Sequence, residues 1–60
     1  MEEVKHTLDG EYGLTYNDVM SDIMNNKLDI RVENDPFGLL LIGNLDDIKY
    51  LIENVYGITN

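Results

Sequence analysis

The chain has 60 residues, of which 12 are acidic and four basic, giving a net charge of −8, and it contains no Cys. This length builds one domain, residues 1–60, and a domain this small buries only roughly 60% of its unfolded surface. Lack of Cys excludes disulfides and, with a single His, the usual structural zinc site.

Residues 43% hydrophobic and 27% charged suit a folded core rather than a disordered chain. The negative field repels nucleic acid and anionic membranes and attracts basic surfaces. Lys5, Lys27, Arg31 and Lys49 are scattered, so direct nucleic-acid binding is not expected. Met1-Glu2-Glu3 has no apolar stretch behind it, and no run approaches the ~20 residues of a membrane span. Together with the missing Cys, this leads to the expectation of a cytoplasmic protein. The absence of Ala beside seven Asn and six Ile is the skew expected of an AT-rich genome, such as that of a low-GC bacterium or its phage.

In chain order, Asp9-Gly10 is a short hairpin signal. A three-residue loop Leu8-Asp9-Gly10 would place Val4 opposite Leu14 and His6 opposite Tyr12. Thr15 then caps a helix, with Asp18 at the third position completing a capping box and Leu14 with Val19 forming a hydrophobic staple. Tyr16, Val19, Met20, Ile23 and Met24 supply its apolar face, the methionines read as core. Asn25, Asn26 and Lys27 end it.

Leu28, Ile30 and Val32 alternate with Asp29, Arg31 and Glu33, the period of a half-buried strand. Asp35-Pro36-Phe37-Gly38 has the residue order of a type I turn. Leu39-Leu40-Leu41-Ile42 is the return strand, broken at Gly43. Asn44 caps a second helix over 45–56, with Asp46 and Asp47 in its first turn. Leu45, Ile48, Leu51, Ile52 and Val55 form its apolar stripe, and Gly57 suits a left-handed residue past its end. The fold expected is α+β: a small antiparallel sheet of three or four strands with two helices, in the order ββαββα. The helix starts at Thr15 and Asn44 are alike enough to suggest two related ββα halves.

Catalytic chemistry has little to stand on. His6 is the lone His, and Ser21 has no base near it in sequence. No calcium-loop spacing or Gly-rich phosphate loop occurs. So short a chain is not expected to enclose the ~300 Å³ of a small-molecule site. No enzyme activity, cofactor or metal is therefore expected.

Two features rise above this background. Four successive apolar residues in a strand cannot all face one core. Either Leu39 and Leu41 join the core and Leu40 and Ile42 face the other way, or the register slips by one and the pairs exchange. Leu40 and Ile42, rimmed by Arg31 and with Phe37 at the turn tip, are accordingly candidate partner-binding residues. The second feature is acidity: Asp18 and Asp22 stand four apart on one helix face and repel each other, and the pairing gains nothing local. In size, charge and composition the chain is similar to small acidic proteins of phages, among them inhibitors of host enzymes and DNA mimics. The leading expectation is a non-enzymatic regulator or inhibitor that binds a protein. The alternatives are a homo-oligomeric accessory domain, with a homodimer as the simplest form, and a DNA mimic occupying a basic nucleic-acid-binding partner.

Overall fold

The computed structural model describes residues 3–58. Strand β1 (Glu3–Asp9) leads through a 3₁₀ turn (Gly10–Tyr12) to helix α1 (Tyr16–Asn25). Strands β2 (Ile30–Asp35) and β3 (Gly38–Asn44) form a hairpin, and the second helix follows as α2 (Leu45–Lys49) continued by a π-helical segment (Tyr50–Val55). The sheet order is β1-β3-β2 with both pairings antiparallel, so β1 and β2 run parallel on either side of β3.

The α+β class stands, but the first hairpin does not form. Asp9-Gly10 does make a turn, of another kind. The Asp9 carboxylate accepts the Glu11 N–H at 2.9 Å and caps the 3₁₀ turn, and Gly13, at φ 71°, ends it. The chain then enters the helix cap at once, leaving no residues for a return strand. β1 finds its partner in β3 instead. Val4 lies opposite Gly43 rather than Leu14, and His6 opposite Leu41 rather than Tyr12. The two halves are therefore not structurally equivalent.

Helix α1 begins as its sequence dictates. Thr15 Oγ1 accepts the Asp18 N–H at 3.1 Å while the Asp18 carboxylate accepts the Thr15 N–H at 3.3 Å, satisfying two otherwise orphaned donors. It ends in a Schellman turn. The Leu28 N–H bonds to the Ile23 carbonyl at 3.0 Å and the Lys27 N–H to that of Met24 at 3.2 Å, with Lys27 in the left-handed region at φ 55°. The second helix starts at Asn44, whose side chain accepts the Asp47 N–H at 2.8 Å. Its last turns widen: the Tyr56 N–H reaches the Leu51 carbonyl and the Ile58 N–H that of Ile52, and Gly57 lies at φ 66° as expected of it.

Both helices lie on one face of the sheet. Leu8, Ile30, Val32, Leu39 and Leu41 from the strands meet Val19, Ile23, Ile48 and Leu51 from the helices in one core, and Leu41, Leu51 and Val19 are fully buried. Met20 packs against this core, but Met24 is 72% exposed and is no part of it. Gly43 does not break its strand; it lies inside β3 and is buried. A Cβ there would sit 2.5 Å from the Asp29 carbonyl oxygen and 3.2 Å from Ile30 Cα, so a close approach of β3 to the start of β2 requires glycine. Leu28 stands just before β2, half-buried. Among the described residues no helix is long and apolar enough to cross a membrane.

Candidate functional site

The first of the two sheet registers is the one adopted. Leu39 and Leu41 are in the core, and Leu40 and Ile42 point to the opposite face, which neither helix covers. The structure brings Leu40, Ile42 and Arg31 together on that face and places Phe37 at the end of the same hairpin. The apolar surface is smaller than the sequence suggests. Ile42 is only 3% exposed although it lies outside the main core. Lys5 and Arg31 stand opposite it on its two neighbours, and the Arg31–Glu3 ion pair, 3.3 Å, joins β2 to β1 across β3. These long side chains lay their aliphatic stems beside Ile42 while their charged ends stay in water. Leu40 is half-buried between Thr7 and Glu33. Phe37 is 78% exposed. Its backbone is fixed on both sides, its N–H donating to the Asp35 carboxylate and its carbonyl accepting the Gly10 N–H, each at 3.0 Å.

Asp18 and Asp22 lie on α1, in the helical layer on the other side of the sheet, and each has a local task. Asp18 closes the helix cap. The Asp22 carboxylate accepts the Tyr56 hydroxyl at 2.8 Å, tying α1 to the end of the second helix. Burial and this carboxylate together push the Tyr56 phenol well above its ordinary value of 10.0. Asp47 is similarly engaged: one of its oxygens accepts both the Asn44 side-chain amide at 3.0 Å and the Asp29 N–H at 2.9 Å, pinning the start of β2 to the second helix. Among the described residues no group of three or more His, Cys, Asp or Glu is placed to hold a metal ion. His6 and Ser21 are both exposed, one on β1 and the other on α1.

One concavity was not anticipated from the sequence. It is an open groove of about 570 Å³ between β1 and the second helix. Val4, Lys5 and His6 form its strand wall. Leu45, Ile48, Lys49 and Ile52, one face of a helix by their spacing, form the other, with Glu53 and Ile58 at its margin. It is larger than the volume so short a chain was expected to enclose, because it is walled rather than enclosed. A smaller depression of about 160 Å³ continues it along the strand past Thr7, Leu8 and Asp9, sharing His6, Ile52 and Ile58. Leu45 is 54% exposed, and Val4, Ile52 and Ile58 are half-buried, so much of the lining is apolar and wet. Two of the four basic residues of this acidic chain, Lys5 and Lys49, line it with the sole His, against one carboxylate, Glu53. β1 is also an edge strand, and alternate residues of an edge strand turn unpaired N–H and C=O groups outward.

One signal in the sequence pointed this way. The apolar positions of the second helix form two rows, Ile48–Leu51–Val55 and Leu45–Ile52, and the sheet of so small a domain covers only the first. Compared with protein-family models, with curated proteins and with solved structures, the chain finds no match.

Proposed function

We propose that this chain is a non-enzymatic protein-binding module, a regulator or inhibitor, and that it engages its partner at the groove between β1 and the second helix. The observation that supports this reading is an apolar, solvent-open groove lying along a sheet edge that no other strand pairs among the described residues. That arrangement offers a partner both hydrophobic pockets and main-chain hydrogen bonds. The test is capture of partners from source-cell extract by the parent, by Leu45→Lys and by Leu40→Lys, each first shown to be folded by circular dichroism. The reading expects a partner held by the parent and by Leu40→Lys but lost by Leu45→Lys. Loss with Leu40→Lys alone would move the contact to the open sheet face, and equal capture by all three would remove both surfaces.

A second reading, a self-associating accessory domain, is favoured by half-buried Leu40 on the uncovered face and by the exposed Phe37 at the turn of the same hairpin. Sedimentation of the parent and of Leu40→Lys over a wide concentration range separates it, because only self-association depends on the protein's own concentration. A DNA-mimic reading draws less support, because Asp18 and Asp22 are taken up by internal hydrogen bonds.

A further inference from the structure

We propose that the groove takes an extended segment of a protein partner in which apolar and basic residues alternate, and that this segment adds to the sheet as a strand beside β1. The inference rests on the reading of the groove as the contact site and names its occupant. The geometry comes from the way the groove and its continuation follow the strand. They are lined by six successive β1 residues, Val4 to Asp9. By register Val4, His6 and Leu8 belong to the helical face of the sheet, and Lys5, Thr7 and Asp9 to the helix-free face. A ligand lying on one face would meet only one of these sets. Residues of both sets line the depressions, which therefore open along the outer edge of the strand, where no other strand pairs with β1 among the described residues. Six residues of strand span about 20 Å. An occupant strand of that length turns alternate side chains toward the helical layer, where Leu45, Ile52 and Ile58 offer apolar surface, and the others toward water.

Charge decides the polar half of that pattern. The two cations of this edge stand apart, Lys5 opposite Ile42 on the helix-free face and Lys49 on the second helix, where Glu53 lines the same groove. The carboxylates gather at one end. Tyr12, 52% exposed, lines the far depression with Asp9, and exposed Glu11 precedes it in the same 3₁₀ turn. An exposed aromatic ring beside two carboxylates suits the head of a Lys or Arg. The net charge of −8 acts in the same direction. At ~0.01 M salt the screening length is about 30 Å, longer than the 28 Å greatest dimension of the fold, so the whole charge draws a cationic segment in and repels an anionic one. The same repulsion makes a second copy of the chain a poorer occupant.

The probe is an eight-residue peptide of alternating Lys and Val, titrated into isotope-labelled protein and followed by the backbone amide signals. Compared with it are the same peptide with Glu for Lys, and two isomers N-methylated at the odd or the even amides, which block one hydrogen-bonding edge each. The proposal expects shifts centred on the β1 amides between Val4 and Asp9, and the Lys–Val peptide to bind at least about tenfold tighter than the Glu–Val peptide at ~0.01 M salt, the preference narrowing toward 0.15 M. It also expects one methylated isomer to keep binding and the other to lose it, and Glu11→Lys with Glu53→Lys, both exposed positions, to weaken the Lys–Val peptide several-fold. Equal binding of the Lys and Glu peptides, or a preference for Glu, overturns it, as does a Lys–Val peptide that does not bind. Shifts spread over the acidic surface or along Ile30–Asp35, and methylated isomers that behave alike, overturn it as well. Concentration-dependent changes in the β1 amide signals without peptide would assign the edge to a second copy and also overturn it. The groove reading itself is decided separately, by whether Leu45→Lys loses the partner from extract, so failure of the peptide leaves that result intact.

Discussion

Gly43→Ala puts a methyl group where the structure has no room for one. The new Cβ would lie 2.5 Å from the Asp29 carbonyl oxygen and 3.2 Å from Ile30 Cα, both backbone atoms that no rotamer change can move. Restoring an ordinary contact distance requires the start of β2 to shift by about 1 Å. Overpacking of this kind costs about 1–3 kcal/mol. The shift also stretches the 2.9 Å bond from the Asp29 N–H to the Asp47 carboxylate, which adds about 1 kcal/mol. The expected loss is thus about 2–4 kcal/mol, a large share of the roughly 3–9 kcal/mol that holds a domain of this size. Two other glycines calibrate it. Gly57→Ala meets nothing but strains a φ of +66°, for a loss of about 1 kcal/mol. Gly10→Ala has its nearest neighbour at an ordinary 3.6 Å and should fall within about 0.5 kcal/mol of the parent. Urea unfolding followed by circular dichroism ranks the three. A Gly43→Ala midpoint no lower than that of Gly10→Ala would refute the close approach of β3 to β2.

Leu51→Ala empties a fully buried site and should cost about 2–5 kcal/mol; melting within a degree or two of the parent would show that the second helix is packed by another stripe. Asn44→Ala removes the acceptor of the Asp47 N–H and a donor to its carboxylate, and should lower the urea midpoint by roughly 1 kcal/mol of stability. Tyr56 is held protonated in the fold above its ordinary value of 10.0, so its contribution is complete below pH 10 and is lost as pH rises beyond it. Tyr56→Phe, lacking the bond to Asp22, should be about 1 kcal/mol less stable at neutral pH yet decline less above pH 10. Parallel pH profiles for the two proteins would contradict this.

What could be read in the sequence was set by neighbours along the chain. The Thr15–Asp18 capping box, the Asn44 cap, the Ile30–Val32 alternation and the turn at Asp35–Gly38 are each decided within a few residues, and the structure adopts them all. The errors come from contacts that cross the chain. Asp9-Gly10 is chemically a turn whether or not a strand follows, and the true partner of Leu8 is Leu39, which no local pattern indicates. Gly43 reads as a strand break because the backbone of Asp29 and Ile30, which excludes a side chain there, arrives only with the fold. The candidate surfaces divide in the same way. The split of Leu39–Ile42 between two faces follows from strand geometry. The shielding of Ile42 depends on an ion pair between residues 28 apart in sequence, and the groove on β1 settling beside the second helix. Asp22 looked surplus on its helix, and its use is visible only once Tyr56 is beside it.

The central claim is that a partner is engaged at the groove between β1 and the second helix. Amide hydrogen exchange, measured residue by residue on the chain alone and on its complex with the partner captured from extract, tests it most directly. The account predicts added protection in β1 between Val4 and Asp9 and in the second helix between Leu45 and Ile52, with β2 unchanged. Protection gained along Ile30–Asp35 instead, or exchange in β1 and the second helix that the bound partner leaves untouched, would contradict it.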